Sequence, residues 1–272
     1  MKKVLFACDG KNLAKGAFDF IKQLQQDEPV LVTGVFLHAL NFELFLPGVF
    51  AMSAVSAMDF LEEEQTQYKE TIAQFKQMCE RTALEYNVHE ESESLNIDDL
   101  AKESRFADLM VMSEELFCQE LNPTEPNNFM RQAIHKAECP VMLFPENFKT
   151  FNRIIIAYDG TKDSMLAVKE FCNLFPQFCY METKIVYAKN ENSDDIPDMT
   201  LIEEFAGRHF PNLDFEKLSF NAKHFDSWPD EYKDALIVCG SFGRGGLSNL
   251  IKKSFIENNI EQHRNPLFIA HH

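Results

Sequence analysis

The stretch Gly240-Ser241-Phe242-Gly243-Arg244-Gly245-Gly246 places four glycines in seven residues. Backbone N–H groups without flanking side chains can turn inward and form a concavity that binds anions. Arg244 adds a guanidinium able to grip a phosphate with two hydrogen bonds. Ser254 precedes Ile256 and Ile260, a helical spacing, so its hydroxyl can cap that helix or hold a phosphate at its N-terminus. Asp9 and Asp159 each end a short apolar run and are each followed by Gly. A carboxylate there either meets a polar ligand group or orders the Asp-Gly turn and caps the following helix. A glycine-rich loop can equally be a plain turn.

Other chemistries fail on spacing. Gly240-Ser241-Phe242-Gly243 is not the Gly-x-Ser-x-Gly of a hydrolase nucleophile. Lys252-Lys253-Ser254 lacks the upstream glycine of a Walker loop, and Gly243 to Ser248 does not give Gly-x-Gly-x-x-Gly. The eight histidines form no His-x-x-x-His or Cys/His set, so no metal site is expected. No nucleophile has a base at useful spacing, so no catalytic residue is assigned.

These residues sit in a chain that repeats itself. Lys3-Val4-Leu5-Phe6-Ala7-Cys8-Asp9-Gly10 matches Arg153-Ile154-Ile155-Ile156-Ala157-Tyr158-Asp159-Gly160 at a register of 150 residues. Ala107 to Met112 matches Asp234 to Cys239, and Cys139 to Phe144 matches Asn265 to Ala270. Matches in the same order indicate a duplicated domain, with halves at 1–148 and 151–272. Continuous apolar runs at Val4 to Cys8, Val30 to Leu37, Leu109 to Met112, Val141 to Phe144, Ile154 to Tyr158, Lys184 to Ala188, Leu236 to Cys239 and Leu267 to Ala270 read as strands buried on both faces. Helical patterns separate them, which predicts α/β halves built on doubly wound, mostly parallel sheets. The clearest helix spans Asp59 to Tyr86, with Glu62-Glu63-Glu64 as its solvated start. Asn96 and Ser227 mark further helix starts, Asn192 to Asp198 an acidic loop, and the apolar segment Leu44 to Met58 packing between domains or a flap. Each half ends in a Pro-led apolar strand whose bare edge needs covering, so Val141 to Phe144 and Leu267 to Ala270 are expected at the contact between halves.

The net charge of −17 is unevenly divided: residues 1–150 hold 13 Lys+Arg against 25 Asp+Glu, and the remainder 13 against 18. An acidic surface repels phosphate backbones and anionic lipid, so neither nucleic acid nor membrane is an expected partner. The seven cysteines make no Cys-x-x-Cys pair, and Cys8, Cys139 and Cys239 lie in apolar runs, as reduced buried thiols do. Lys2-Lys3 and five apolar residues are too short for a signal-peptide core, so the expected location is the cytoplasm.

Tandem Asp-ended first strands, the glycine-rich loop after a late strand and the closing Pro-hydrophobic strands resemble the universal stress protein family in a two-domain form, over nearly the whole chain. The resemblance implies open five-stranded parallel sheets of the adenine nucleotide alpha hydrolase-like type and a role in stress response. ATP-binding members carry Gly-x2-Gly-x9-Gly-[Ser/Thr]. Gly240, Gly243 and Ser254 fall on that spacing, but Lys253 stands where the third Gly belongs. Carried over, Asp159 would contact adenosine, Ala188 would border the base, and Gly240, Gly243 and Ser254, with Arg244 beside them, would hold ribose and phosphates of ATP and its magnesium. In the first half the counterpart of Gly240 to Gly243 is Ser113-Glu114-Glu115-Leu116, two carboxylates where phosphates would lie. That half is therefore expected to be a degenerate, non-binding partner in an intramolecular pseudo-dimer, with a further homodimer open. The alternative is a ligand-free pseudo-dimeric interaction protein. An adenylyltransferase or pyrophosphatase would need a His-x-x-His helix start and a Ser-Gly-Gly loop after the first strand, and the chain has neither.

Overall fold

The computed structural model describes residues 1–8, 13, 15–36, 54–89, 97–113, 128–145, 148, 150–189, 195–219, 232–240 and 265–272. The strands are β1 Lys2–Cys8, β2 Val30–Phe36, β3 Glu85–His89, β4 Leu109–Ser113, β5 Val141–Phe144, β6 Arg153–Ala157, β7 Glu182–Lys189, β8 Leu213–Ser219, β9 Ala235–Cys239 and β10 Leu267–Ile269. The helices are α1 Lys15–Asp27, α2 Ala54–Thr82, α3 Ile97–Ser104, α4 Asn128–Lys136, α5 Lys162–Leu174 and α6 Met199–His209, with a 3-10 turn at Phe178–Tyr180.

All ten strands belong to one sheet in the order β3-β2-β1-β4-β5-β10-β9-β6-β7-β8. Its two five-strand sets repeat the same order about the middle. Every neighbouring pair is parallel except β5 and β10, which run antiparallel with Leu267 opposite Leu143, Phe268 opposite Met142 and Ile269 opposite Val141. The expected contact between these two Pro-led strands is thus a direct backbone ladder. It merges what the sequence reading held as two five-stranded sheets into one, because each terminal strand supplies the hydrogen bonds that the other's edge lacks.

The continuous apolar runs are explained by burial on both faces. Along β1, Val4, Phe6 and Cys8 enter one core cluster, while Leu5 and Ala7 enter the other. The first cluster continues across the sheet as a chain of rings. Phe20 on α1 lies 4.8 Å from Phe144, 5.7 Å from Phe175 and 6.2 Å from Phe178, and Phe175 lies 5.8 Å from Phe268.

The long helix departs from its expected limits at both ends. It begins at Ala54, within the apolar segment Leu44 to Met58, so Glu62 to Glu64 sit well inside it rather than in its first turn. It ends at Thr82 rather than Tyr86. Ala83 adopts φ 52°, its N–H bonds to Glu80 O, and the Leu84 N–H reaches back to Cys79 O. This paired closure terminates a helix through one left-handed residue, and it releases Tyr86 into β3. Residues 44–53, Asn96, Asn192 and the helix start at Ser227 lie outside the described residues.

Candidate functional site

Strand β6 has β7 on one side and β9 on the other, with the chain progressing outward in opposite directions from that point. In a doubly wound sheet the crevice beyond the carboxyl ends at such a reversal is where ligands bind. Ala157, the last residue of β6, pairs with Cys239 of β9 and Val186 of β7. Tyr158-Asp159-Gly160 and Gly240 therefore emerge side by side, and Ala188 continues β7 next to them, paired with Leu218.

Local chemistry shapes this end of the sheet. Asp159 Oδ1 accepts from the Thr161 N–H at 3.0 Å and from the Thr161 hydroxyl at 2.6 Å. Thr161 is the N-cap of α5, and its hydroxyl oxygen accepts from the Ser164 N–H at 3.2 Å. The carboxylate thus orders the turn and steadies the cap, the structural role that an Asp-Gly pair ahead of a helix can take. Gly160 has φ +76°, and a Cβ there would lie 2.6 Å from Pro197 Cβ. The segment before α6 consequently rests on the Asp-Gly turn. Gly240 abuts the first turn of α5: a Cβ there would stand 2.6 Å from both Asp163 C and Ser164 N.

Tyr158 is buried behind this turn at 4% exposure. Burial pushes its phenol up from the ordinary value, and the nearby carboxylates of Asp198 and Asp159 push it further. Negative charge already surrounds this corner, so an anionic ligand needs its stabilisation from backbone amides and from the positive N-terminal end of α5.

Of the six expected ligand contacts, Asp159, Gly240 and the backbone of Ala188 meet at this crevice. Gly243, Arg244 and Ser254, with the departing Lys253, lie outside the described residues, as do Asp9, Glu114 and Glu115 of the first half. Ser113, which ends β4 at the equivalent reversal, is buried. Sequence reasoning missed Thr161 and Pro197. The hydroxyl three residues ahead of Ser164 was a readable capping signal, whereas the contact of Pro197 with Gly160 joins distant residues and had none.

No family model and no curated protein matches the sequence. Solved structures do. A universal stress protein from Archaeoglobus fulgidus DSM 4304 superposes with a TM-score of 0.69 at 17% identity, over 99% of this chain and 96% of that one. The chain has the universal stress protein fold. A protein provisionally assigned to the universal stress proteins, from Pseudomonas aeruginosa UCBPP-PA14, superposes with a TM-score of 0.55 at 11% identity, over 100% and 93% of the two chains. A protein of unknown function from Pseudomonas aeruginosa PAO1 gives the same TM-score and identity over 100% and 92%. The universal stress protein fold thus accounts for the ten-stranded arrangement from end to end. Among the described residues, no helix is long and apolar enough to cross a membrane, and no group of three His, Cys, Asp or Glu could hold a metal ion.

Proposed function

We propose that this chain is a cytoplasmic stress-response protein of the universal stress protein family, built as two domains, 1–148 and 151–272, joined as an intramolecular pseudo-dimer. Its second domain holds an adenine nucleotide, ATP with magnesium, as a regulatory ligand in the crevice between β6 and β9. The observation that carries this reading is the meeting of three features at one strand reversal: the Asp159 carboxylate, the Gly240 backbone and the N-terminal end of α5. A carboxylate suits ribose hydroxyls, while the amides of a glycine-rich loop and a helix N-terminus suit phosphate. Ala188 borders the base in this reading, and Gly243, Arg244 and Ser254 complete the phosphate side. The nucleotide, when bound, acts as a conformational ligand rather than a reactant. The first domain is a partner without a nucleotide, since Glu114 and Glu115 stand in place of glycine loop residues.

A second reading has its own support. Asp159 is engaged by Thr161, and the missing side chain of Gly240 makes room for α5. Both residues would be needed for folding in a ligand-free interaction protein. Calorimetry with magnesium-ATP on wild type, Lys253→Gly and Asp159→Ala separates the two. The nucleotide reading expects affinity no better than about micromolar, roughly −8 kcal/mol, tighter binding in the glycine variant and loss in the alanine variant. Absence of heat in all three, with folding retained, leaves the interaction protein.

A further inference from the structure

Cys172 lies on the last turns of α5 and Cys179 on the 3-10 turn that follows, seven residues later. In an unbroken helix that separation is about 10 Å along the axis, too far for two thiols to meet. Here the helix ends at Leu174, Phe175 caps it, and Pro176 begins a fold-back in which the Phe178 N–H bonds to Phe175 O at 3.0 Å and the Cys179 N–H to Pro176 O at 3.3 Å. The reversal brings the Cys172 and Cys179 thiols together, and the Cys179 thiol donates to Phe175 O at 3.6 Å. Both side chains are packed in the core at 7% and 4% exposure. Yet the residue after Cys179, Tyr180, is 72% exposed.

We propose that Cys172 and Cys179 form a reversible redox pair, a modification site at which hydrogen peroxide joins the two thiols as a disulfide. Cys179, which adjoins the exposed Tyr180 in the chain, gives up its thiol proton and attacks first. A sulfur–oxygen bond forms as the peroxide oxygen–oxygen bond breaks, and the departing hydroxide takes a proton and leaves as water. Cys172 sulfur then attacks the Cys179 sulfenic acid. The disulfide forms, the sulfur–oxygen bond breaks, and the hydroxyl leaves with the Cys172 proton as a second water. Two thiols lose two electrons and one peroxide becomes two waters. Neighbouring Phe175 and Phe178 carry the ring contacts to Phe20 on α1, so the bond would form at the seam between the two five-strand sets.

The two cysteines share one tryptic peptide, residues 170–184, which has no internal Lys or Arg. The intact chain is treated with graded hydrogen peroxide under native conditions, quenched, denatured, alkylated and digested. The expected result is that this peptide loses two hydrogens, escapes alkylation at lower peroxide than any other cysteine peptide, and regains two alkylated thiols after dithiothreitol. In Cys172→Ser, Cys179 should be trapped by dimedone as a sulfenic acid. Two alkylated thiols in this peptide at peroxide doses that already oxidise Cys139 would overturn the proposal, as would a disulfide from either cysteine to a different partner.

Discussion

Gly240 and Ser164 are so close that a Cβ on the glycine would lie 2.6 Å from the serine backbone nitrogen. The neighbour is helix backbone, which cannot swing aside, so added bulk must move α5 or the end of β9. Gly240→Ala is expected to destabilise the chain by about 1–3 kcal/mol, the usual cost of overpacking. Urea denaturation monitored by circular dichroism would read this as a lower midpoint with an unchanged slope. A wild-type midpoint would mean that the crevice can widen, and would favour a site able to adapt to a ligand.

The Asp159–Thr161–Ser164 relay predicts a second loss. Thr161→Ala removes the acceptor for the Ser164 N–H and the hydroxyl that bonds to Asp159. A lost N-cap costs about 1 kcal/mol. Asp159→Asn keeps an acceptor oxygen and should cost less than Thr161→Ala in the same denaturation assay. The reverse order would mean that the Asp159 charge, rather than its geometry, steadies this end of α5.

Phe268 is fully buried on β10 and packs 5.5 Å from Phe171 and 5.8 Å from Phe175. Because its strand also pairs with β5, the ring supports the ladder joining the two strand sets. Phe268→Ala is expected to cost about 3–5 kcal/mol. Limited proteolysis should then cut the link between Phe144 and Arg153 faster than in wild type, and equal cutting rates would contradict the role given to this ring.

A pH dependence follows from the Lys184–Glu216–Tyr232 cluster on β7, β8 and the approach to β9. The Lys184 ammonium lies 2.7 Å from Glu216 Oε2, and the Tyr232 hydroxyl donates to the same oxygen at 2.5 Å. Burial alone would raise the Glu216 carboxyl, but these two donors and the charge of Lys184 bring it below its ordinary value. A carboxyl depressed in the folded state gives stability that is present above the unfolded pKa and is lost as pH falls through the folded one. Melting temperature should therefore decline below about pH 4.3, and Glu216→Gln should flatten that decline. Parallel wild-type and variant curves would show that the cluster contributes nothing to acid sensitivity.

The sequence disclosed the central strands because strands buried on both faces are written as unbroken apolar runs, as in Ile154-Ile155-Ile156. It did not disclose the third strand of either set. Glu85-Tyr86-Asn87-Val88-His89 and Leu213-Asp214-Phe215-Glu216-Lys217 end at the two outer edges of the sheet, where charged and partly exposed residues guard against stray pairing and so erase the apolar signal. Tyr86 even matched the helical spacing of α2, and only the left-handed Ala83 separates it from that helix. At the crevice, Asp159 and Gly240 were legible as types and positions. The Thr161 cap beside Asp159 was readable too, but the packing partners of the glycines were not, because the contacts of Gly240 with Asp163 and of Gly160 with Pro197 join residues far apart along the chain.

The single antiparallel pair at the middle of the sheet sets where the two strand reversals open. Strands on either side of β5 and β10 point in opposite directions, so the carboxyl ends of β6 and β9, beside Asp159, and those of β1 and β4 lie at opposite edges of the sheet. No one small molecule can span both. A ligand bound at one edge leaves the other uncovered, so whatever the two ends take up, they take it up separately.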